Sequence, residues 1–189
     1  MSKKAIKPCV VLLFVASVVI AQVQSSQEPA AMRTESLLGR IKNYRDMVRV
    51  NKDPVDMVES TKFMCAPPSM VYGPHYDPGV VYYINELARQ GINTFSEKKL
   101  FPVGSIIVKE KQERKTEDSV QIITVMRKVR PDHSEESWEY KMYDTKKWAE
   151  ITFSQPGSSK PKITCIDCHR RYEANDYVSD KGIELLLRK

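Results

Sequence analysis

The sequence predicts an α+β fold, mainly an antiparallel β-sheet with a few flanking helices, on three observations. Residues 105–154 contain four runs rich in Ile, Val, Tyr, Trp and Thr, separated by polar turns. Two stretches before them place apolar residues at helical spacing. A Cys-x-x-Cys-His motif, Cys165-Ile166-Asp167-Cys168-His169, comes after the last run.

The N-terminus reads as a secretory signal peptide over residues 1–21. Lys3, Lys4 and Lys7 precede an uncharged run from Pro8 to Ala21, and Val19-Ile20-Ala21 offers small residues for cleavage. That run is shorter than the roughly 20 apolar residues a spanning helix needs, so no stable membrane insertion is expected once it is removed. Residues 22–33 form a polar leader, and residues 34–189 are expected to make a single domain. Glu35 to Val50 predicts an amphipathic helix through Leu37, Leu38, Ile41, Tyr44 and Val48, with Thr34 or Ser36 as cap. Five prolines make Asn51 to Gly79 a loop. A second helix is expected from Asp77 and Pro78 through Val81, Ile84, Leu87 and Ala88, ending at Gly91. The strands follow at Ser105–Lys111, Ser119–Arg130, Trp138–Tyr143 and Trp148–Ser154. The Pro/Gly/Ser/Lys stretch from Gln155 to Lys162 leads into the motif, a short helix follows His169, and Ile183 to Leu187 forms a terminal apolar turn.

The motif sets the chemistry. Two thiols at this spacing can each add across a haem vinyl group to form a thioether, and the adjacent His169 then lies under the iron as proximal ligand. The expected cofactor is one covalent haem c. A closed zinc site wants four ligands, usually from a second CxxC or HxxxH pair, and the sequence contains neither. A thioredoxin-type redox pair belongs beside a βαβ pattern, which is absent around this motif. Export to the periplasm or an equivalent compartment fits covalent haem, which is attached on the far side of an energy-coupling membrane.

Charge argues against nucleic acid as a partner. The formal net charge is +6, and removing residues 1–21 takes away three lysines, leaving 168 residues at +3 against 24 acidic groups. The remaining basic residues are scattered instead of forming a block. Cysteine usage is more telling. Beyond the signal, the chain has Cys65, Cys165 and Cys168; haem attachment consumes the last two and leaves Cys65 over. It sits in Lys62-Phe63-Met64-Cys65-Ala66-Pro67-Pro68, where the proline pair stiffens the backbone. An intermolecular disulfide, a buried thiol and a functional thiolate remain open for it.

A motif that comes last, after a sheet, resembles the β-sheet cytochromes c-prime (cytochrome c-prime-beta) and their relatives with a lysine-cross-linked haem, which oxidise hydroxylamine or nitric oxide. Three segments carry the likeness. Asn43-Tyr44-Arg45-Asp46 resembles the family's early helix, Phe101 to Glu110 its strand segment, and Cys165 to His169 with Asn175-Asp176-Tyr177-Val178 its haem block. The resemblance implies haem held against the sheet and a dimer, either a homodimer or a heterodimer with a related haem c subunit. It also implies a role for Lys109, since in the cross-linked members a lysine at this place is bonded to a haem meso carbon. The alternative is a strand lysine whose stem covers apolar surface while its ammonium reaches water. Period two puts Ser105, Ile107 and Lys109 on one face and Ile106, Val108 and Glu110 on the other.

Two departures from the family weigh against an open catalytic pocket. Some competent relatives carry a carboxylate near the motif that moves substrate protons, but Gln155 to Thr164 has no Asp or Glu; Asp167 and Glu150 are the candidate substitutes. Cys65 stands about where the family has bulky apolar side chains over the distal side of the iron. A thiolate there is a candidate distal iron ligand opposite His169, and would favour ferric iron. That pairing resembles the NaxLS-type heterodimeric cytochromes with His/Cys-ligated haems. His75, His133, Met64 and Met70 are the weaker distal candidates. Two functions follow. One is a cytochrome that passes electrons to a redox partner protein or binds nitric oxide or carbon monoxide in nitrogen metabolism. The other is an enzyme of hydroxylamine oxidoreductase type with Lys109 cross-linked to the haem.

Overall fold

A computed structural model describes residues 36–56, 79–112, 120–151 and 164–188. The signal and leader, the Cys65 segment with Met64, Met70 and His75, and the loop before the motif lie outside the described residues.

Seven strands form one antiparallel sheet: β1 (Val48–Arg49), β2 (Val55–Asp56), β3 (Gly79–Ile84), β4 (Ile106–Gln112), β5 (Val120–Lys128), β6 (Trp138–Asp144) and β7 (Ala149–Glu150). Their order is β1-β3-β4-β5-β6-β7, with β2 also paired to β3. Among the described residues four helices flank it: α1 (Leu37–Ile41), α2 (Glu86–Lys98), α3 (Cys165–His169) and α4 (Asp180–Leu187). The predicted class is therefore the observed one.

The sheet is covered on both sides, and the alternation along β4 separates two cores. Ile107 packs with Val80, Tyr82, Ile84, Trp138, Phe95 of α2, Tyr177 and the apolar residues of α4. Ile106 and Val108 pack with Val81, Tyr83, Ile123, Val125, Tyr143 and the α1 residues Leu37 and Ile41. Registers Tyr82↔Lys109↔Thr124↔Met142 and Ile84↔Ile107↔Met126↔Tyr140 place Lys109 and Tyr140 on the first of these faces.

Burial on both faces explains one misplaced element. Residues 79–84, expected to start a helix, form β3 instead, and all six are buried. A strand covered on both sides needs apolar residues throughout, so its sequence shows no alternation, and Val81 and Ile84 fell on helical spacing by coincidence. The helix begins after Asn85, whose side chain caps it by accepting from the Ala88 amide at 3.0 Å. It runs through Gly91 to a left-handed Lys99 (φ 50°). Gly91 is there for packing: a Cβ on it would meet Pro102 Cδ at 2.5 Å.

The early helix is also shorter than expected. Ser36 caps α1 by accepting from Gly39 N at 3.1 Å, but the chain leaves helical geometry at Asn43 (φ −109°, ψ 36°), passes a 3-10 turn at Tyr44–Asp46, and becomes β1. Leu37, Ile41 and Tyr44 are buried as their spacing predicts. The last two stretches go the other way: a 3-10 segment spans Arg170–Asn175 and the expected terminal turn is a full helix, α4, capped by Ser179. Among the described residues no helix is long and apolar enough to cross a membrane.

Candidate functional site

The Cys-x-x-Cys-His motif is α3 itself. Thr164 precedes the helix, and Asp167 Oδ2 accepts from the Thr164 amide and hydroxyl, both at 2.7 Å. This reciprocal cap fixes the start of the helix. Helical geometry then brings Cys165, Cys168 and His169, at i, i+3 and i+4, onto one side. Both thiols are half-buried, and Ile166 packs on the core that contains Ile107.

His169 is held on several sides. Its Nδ1 lies 2.6 Å from the Tyr177 carbonyl, a contact that requires the proton on Nδ1. Tyr140 packs against the imidazole with ring centroids 5.0 Å apart, and Tyr172 meets it edge-on at 6.3 Å. Burial lowers the pKa of the ring, and the positive charges of Lys109 and Arg171 add to that, against the opposing pull of the Tyr177 carbonyl. The result is a neutral imidazole whose Nε2 lone pair is available to a metal.

Lys109 is half-buried at the middle of β4 and acts on His169 electrostatically. Sequence alternation put it on the opposite face from Glu110, and the two cores bear that out. Tyr140 adds a group that the sequence did not single out. Its hydroxyl is buried and has no hydrogen-bond partner among the described residues. Burial raises its pKa, with the Cys165 thiol next in effect, so it remains a protonated donor. Two thiols and an imidazole Nε2 on one helix side, beside an unpartnered buried phenol and an apolar sheet face, fit a haem.

Other candidates fall away from this arrangement. Asp167 is exposed, and its carboxylate, lowered in pKa by the hydrogen bonds from Thr164, is occupied as a helix cap. Glu150 pairs in register with Tyr143, which belongs to the other core, and its carboxylate binds Lys141 at 2.8 Å. Neither is set to act as a base at His169. His133 is tied to the residues that follow the motif: its carbonyl accepts from Tyr177 Oη at 2.9 Å and its Nδ1 lies 3.9 Å from Asp176 Oδ1. Cys65, His75, Met64 and Met70 fall outside the described residues.

Two buried charge clusters were not read from the sequence. Lys128 and Asp176, both with fully buried side chains, pair at 2.5 Å. On the far face, Glu110 binds Tyr44, Arg45 and Gln112. Tyr44, Arg45, Glu110 and Asp176 lie in the segments that carried the family likeness, while Lys128 and Gln112 do not; the partners are 48 and 66 residues apart, and no local pattern joins them.

A family model for Cytochrome P460 matches residues 41–179, a span that contains the sheet, Lys109 and α3. No curated protein matches the chain. The match covers most of the sequence, and the chain belongs to the Cytochrome P460 family.

Proposed function

We propose that this protein is an exported monohaem c-type cytochrome that exchanges electrons with a redox partner protein or binds nitric oxide or carbon monoxide. The reading rests above all on His169: a neutral imidazole with Nδ1 committed to the Tyr177 carbonyl and Nε2 available, one helical turn from two thiols. Cys165 and Cys168 hold the haem through thioether bonds and His169 is the proximal iron ligand. When bound, haem supplies a one-electron Fe(III)/Fe(II) couple and an axial position for a diatomic ligand. The chain's own work is to position and shield. Tyr140 and Tyr172 fix the plane of the imidazole, the Ile107 face keeps water from one side, and the Tyr140 hydroxyl offers a hydrogen bond inside the site. Cys65 would hold the iron on the side opposite His169; as a thiolate it would favour the ferric state, and it would leave before a diatomic ligand binds. The working unit is a homodimer or a heterodimer with a related haem c subunit.

The visible spectra of the ferric and ferrous holoprotein test this reading. A low-spin ferric spectrum with a thiolate-to-iron charge-transfer band, converted to high spin by Cys65→Ala, is the expected result. An unchanged spin state removes Cys65 from the iron.

One observation favours a second reading. The positive charge of half-buried Lys109 is felt at His169, which supports a cross-link from this lysine to the haem and an enzyme that oxidises hydroxylamine. Peptide mass mapping decides it: a haem-bearing peptide that includes Lys109 as well as Cys165 and Cys168 is required. Separate recovery of the Lys109 peptide excludes the cross-link.

A further inference from the structure

The carbonyl that receives His169 Nδ1 belongs to an unusual corner. Asp176 and Tyr177 are consecutive non-glycine residues in left-handed backbone, with φ of 51° and 63°. L-residues avoid this region, so the surrounding contacts must impose it. Local backbone bonds contribute, with Asp176 N and Tyr177 N donating to Glu173 O and Tyr172 O, both at 2.9 Å. The long-range contacts come from the Asp176 side chain. Its Oδ2 accepts from Phe101 N at 2.8 Å, and its Oδ1 accepts from Lys128 Nζ at 2.5 Å. The Lys128 ammonium places its other two hydrogens on Asp132 O at 2.8 Å and Ser137 Oγ at 3.1 Å, and lies 5.3 Å from the centre of the Trp138 ring. Lys128 is itself fixed in the sheet end, donating from its amide to Ser105 O and accepting at its carbonyl from Gly104 N. A buried ion pair with every ammonium hydrogen satisfied is a rigid tie between β5 and the chain behind the haem motif.

We propose that the Lys128–Asp176 pair is a positioning device for the proximal histidine, holding the Tyr177 carbonyl on His169 Nδ1 and thereby setting the redox balance of the haem iron. The inference rests on the haem c reading above. A firmly held acceptor at Nδ1 makes the imidazole a stronger donor, and a stronger donor favours Fe(III). Releasing the corner weakens that hydrogen bond and shifts the balance toward Fe(II).

The test is a redox titration of the holoprotein carrying Lys128→Met together with Asp176→Asn. Met keeps the apolar stem against Trp138. Asn tolerates left-handed backbone at least as well as Asp and still accepts from Phe101 N, and the pair of changes leaves the net charge unaltered. The expected result is about a tenfold rise in the Fe(II)/Fe(III) ratio at fixed ambient potential, about 59 mV upward for a one-electron couple. The control is Arg127→Gln with Glu139→Gln. It removes a 2.6 Å ion pair from the adjacent position of the same strand pair, also without changing net charge, and should leave the potential where it was. A Lys128/Asp176 variant that loses thermal stability but keeps the wild-type potential overturns the proposal, because the pair is then only structural. Should that variant not accumulate, Lys128→Arg carries the test. Its charge is kept but its larger head displaces the carboxylate, and a wild-type potential overturns the proposal equally. A wild-type chain with no covalent haem by mass overturns the functional reading itself, and is seen before any variant is made.

Discussion

On the face of the sheet that carries α1, the buried carboxylate of Glu110 gathers three side chains into one hydrogen-bonded cluster; on the face that carries α3, the buried Tyr140 hydroxyl has no partner among the described residues. Glu110, fully buried, accepts from Tyr44 Oη and from Arg45 Nε at 3.0 Å on one oxygen, and from Gln112 Nε2 at 2.7 Å on the other. Burial, with the neighbouring carboxylate next, raises the pKa of Tyr44 and keeps it a donor. Gln112 Oε1 has no partner among the described residues. Across the sheet, the Tyr140 hydroxyl has no partner among the described residues, and His169 has used only its Nδ1. Both faces have similar apolar packing, so burial alone does not mark the site. What marks it is the company of the unpartnered Tyr140 hydroxyl, which lies beside an imidazole with a free Nε2 and two thiols on one helix side.

Substitutions on the two faces should therefore separate stability from haem chemistry. The largest effect belongs to α3: Cys165→Ala with Cys168→Ala should abolish covalent haem by intact mass while far-UV circular dichroism still reports a sheet. Next, Glu110→Ala should cost about 3 kcal/mol in denaturant unfolding, through a buried Tyr44 hydroxyl hydrogen left without its acceptor and a cavity, with no change in the haem spectrum. Smaller again, Tyr44→Phe removes a hydrogen bond to a charged group and should cost about 1.5–3 kcal/mol. Its chemical twin Tyr140→Phe loses a hydroxyl that has no partner among the described residues. It should change stability of the haem-free chain by less than about 0.5 kcal/mol, yet alter the visible spectrum of the holoprotein. Equal stability losses for the two tyrosines would erase the distinction between the faces.

How much of this was legible beforehand follows from the range of each interaction. β4, β5 and β6 were readable because β-branched and aromatic runs alternate with polar turns over a few residues, and Lys109 was placed on the correct face by period two alone. The motif was readable because thioether chemistry fixes its spacing. β3 was not, because a strand buried on both faces has no alternation to read. Lys128 and Asp176 were opaque for a different reason. A lysine in a strand and an aspartate after a turn look like surface residues until a pairing across 48 residues buries them. The place of His133 was opaque in the same way, since its carbonyl meets the Tyr177 hydroxyl across 44 residues.

The place of α3 in the chain bears on how the protein is made. Strands β3 to β6 pair with successive neighbours in one sheet, and all of them precede Cys165. A chain synthesised from its N-terminus therefore has both walls of the site, β4 with Lys109 and β6 with Tyr140, available before the thiols emerge. The reactive segment arrives as the closing piece, and the tie from Asp176 back to Lys128 forms only after it. Assembly order then leaves the corner behind His169 as the last part of the site to be fixed, after the sheet that carries its walls.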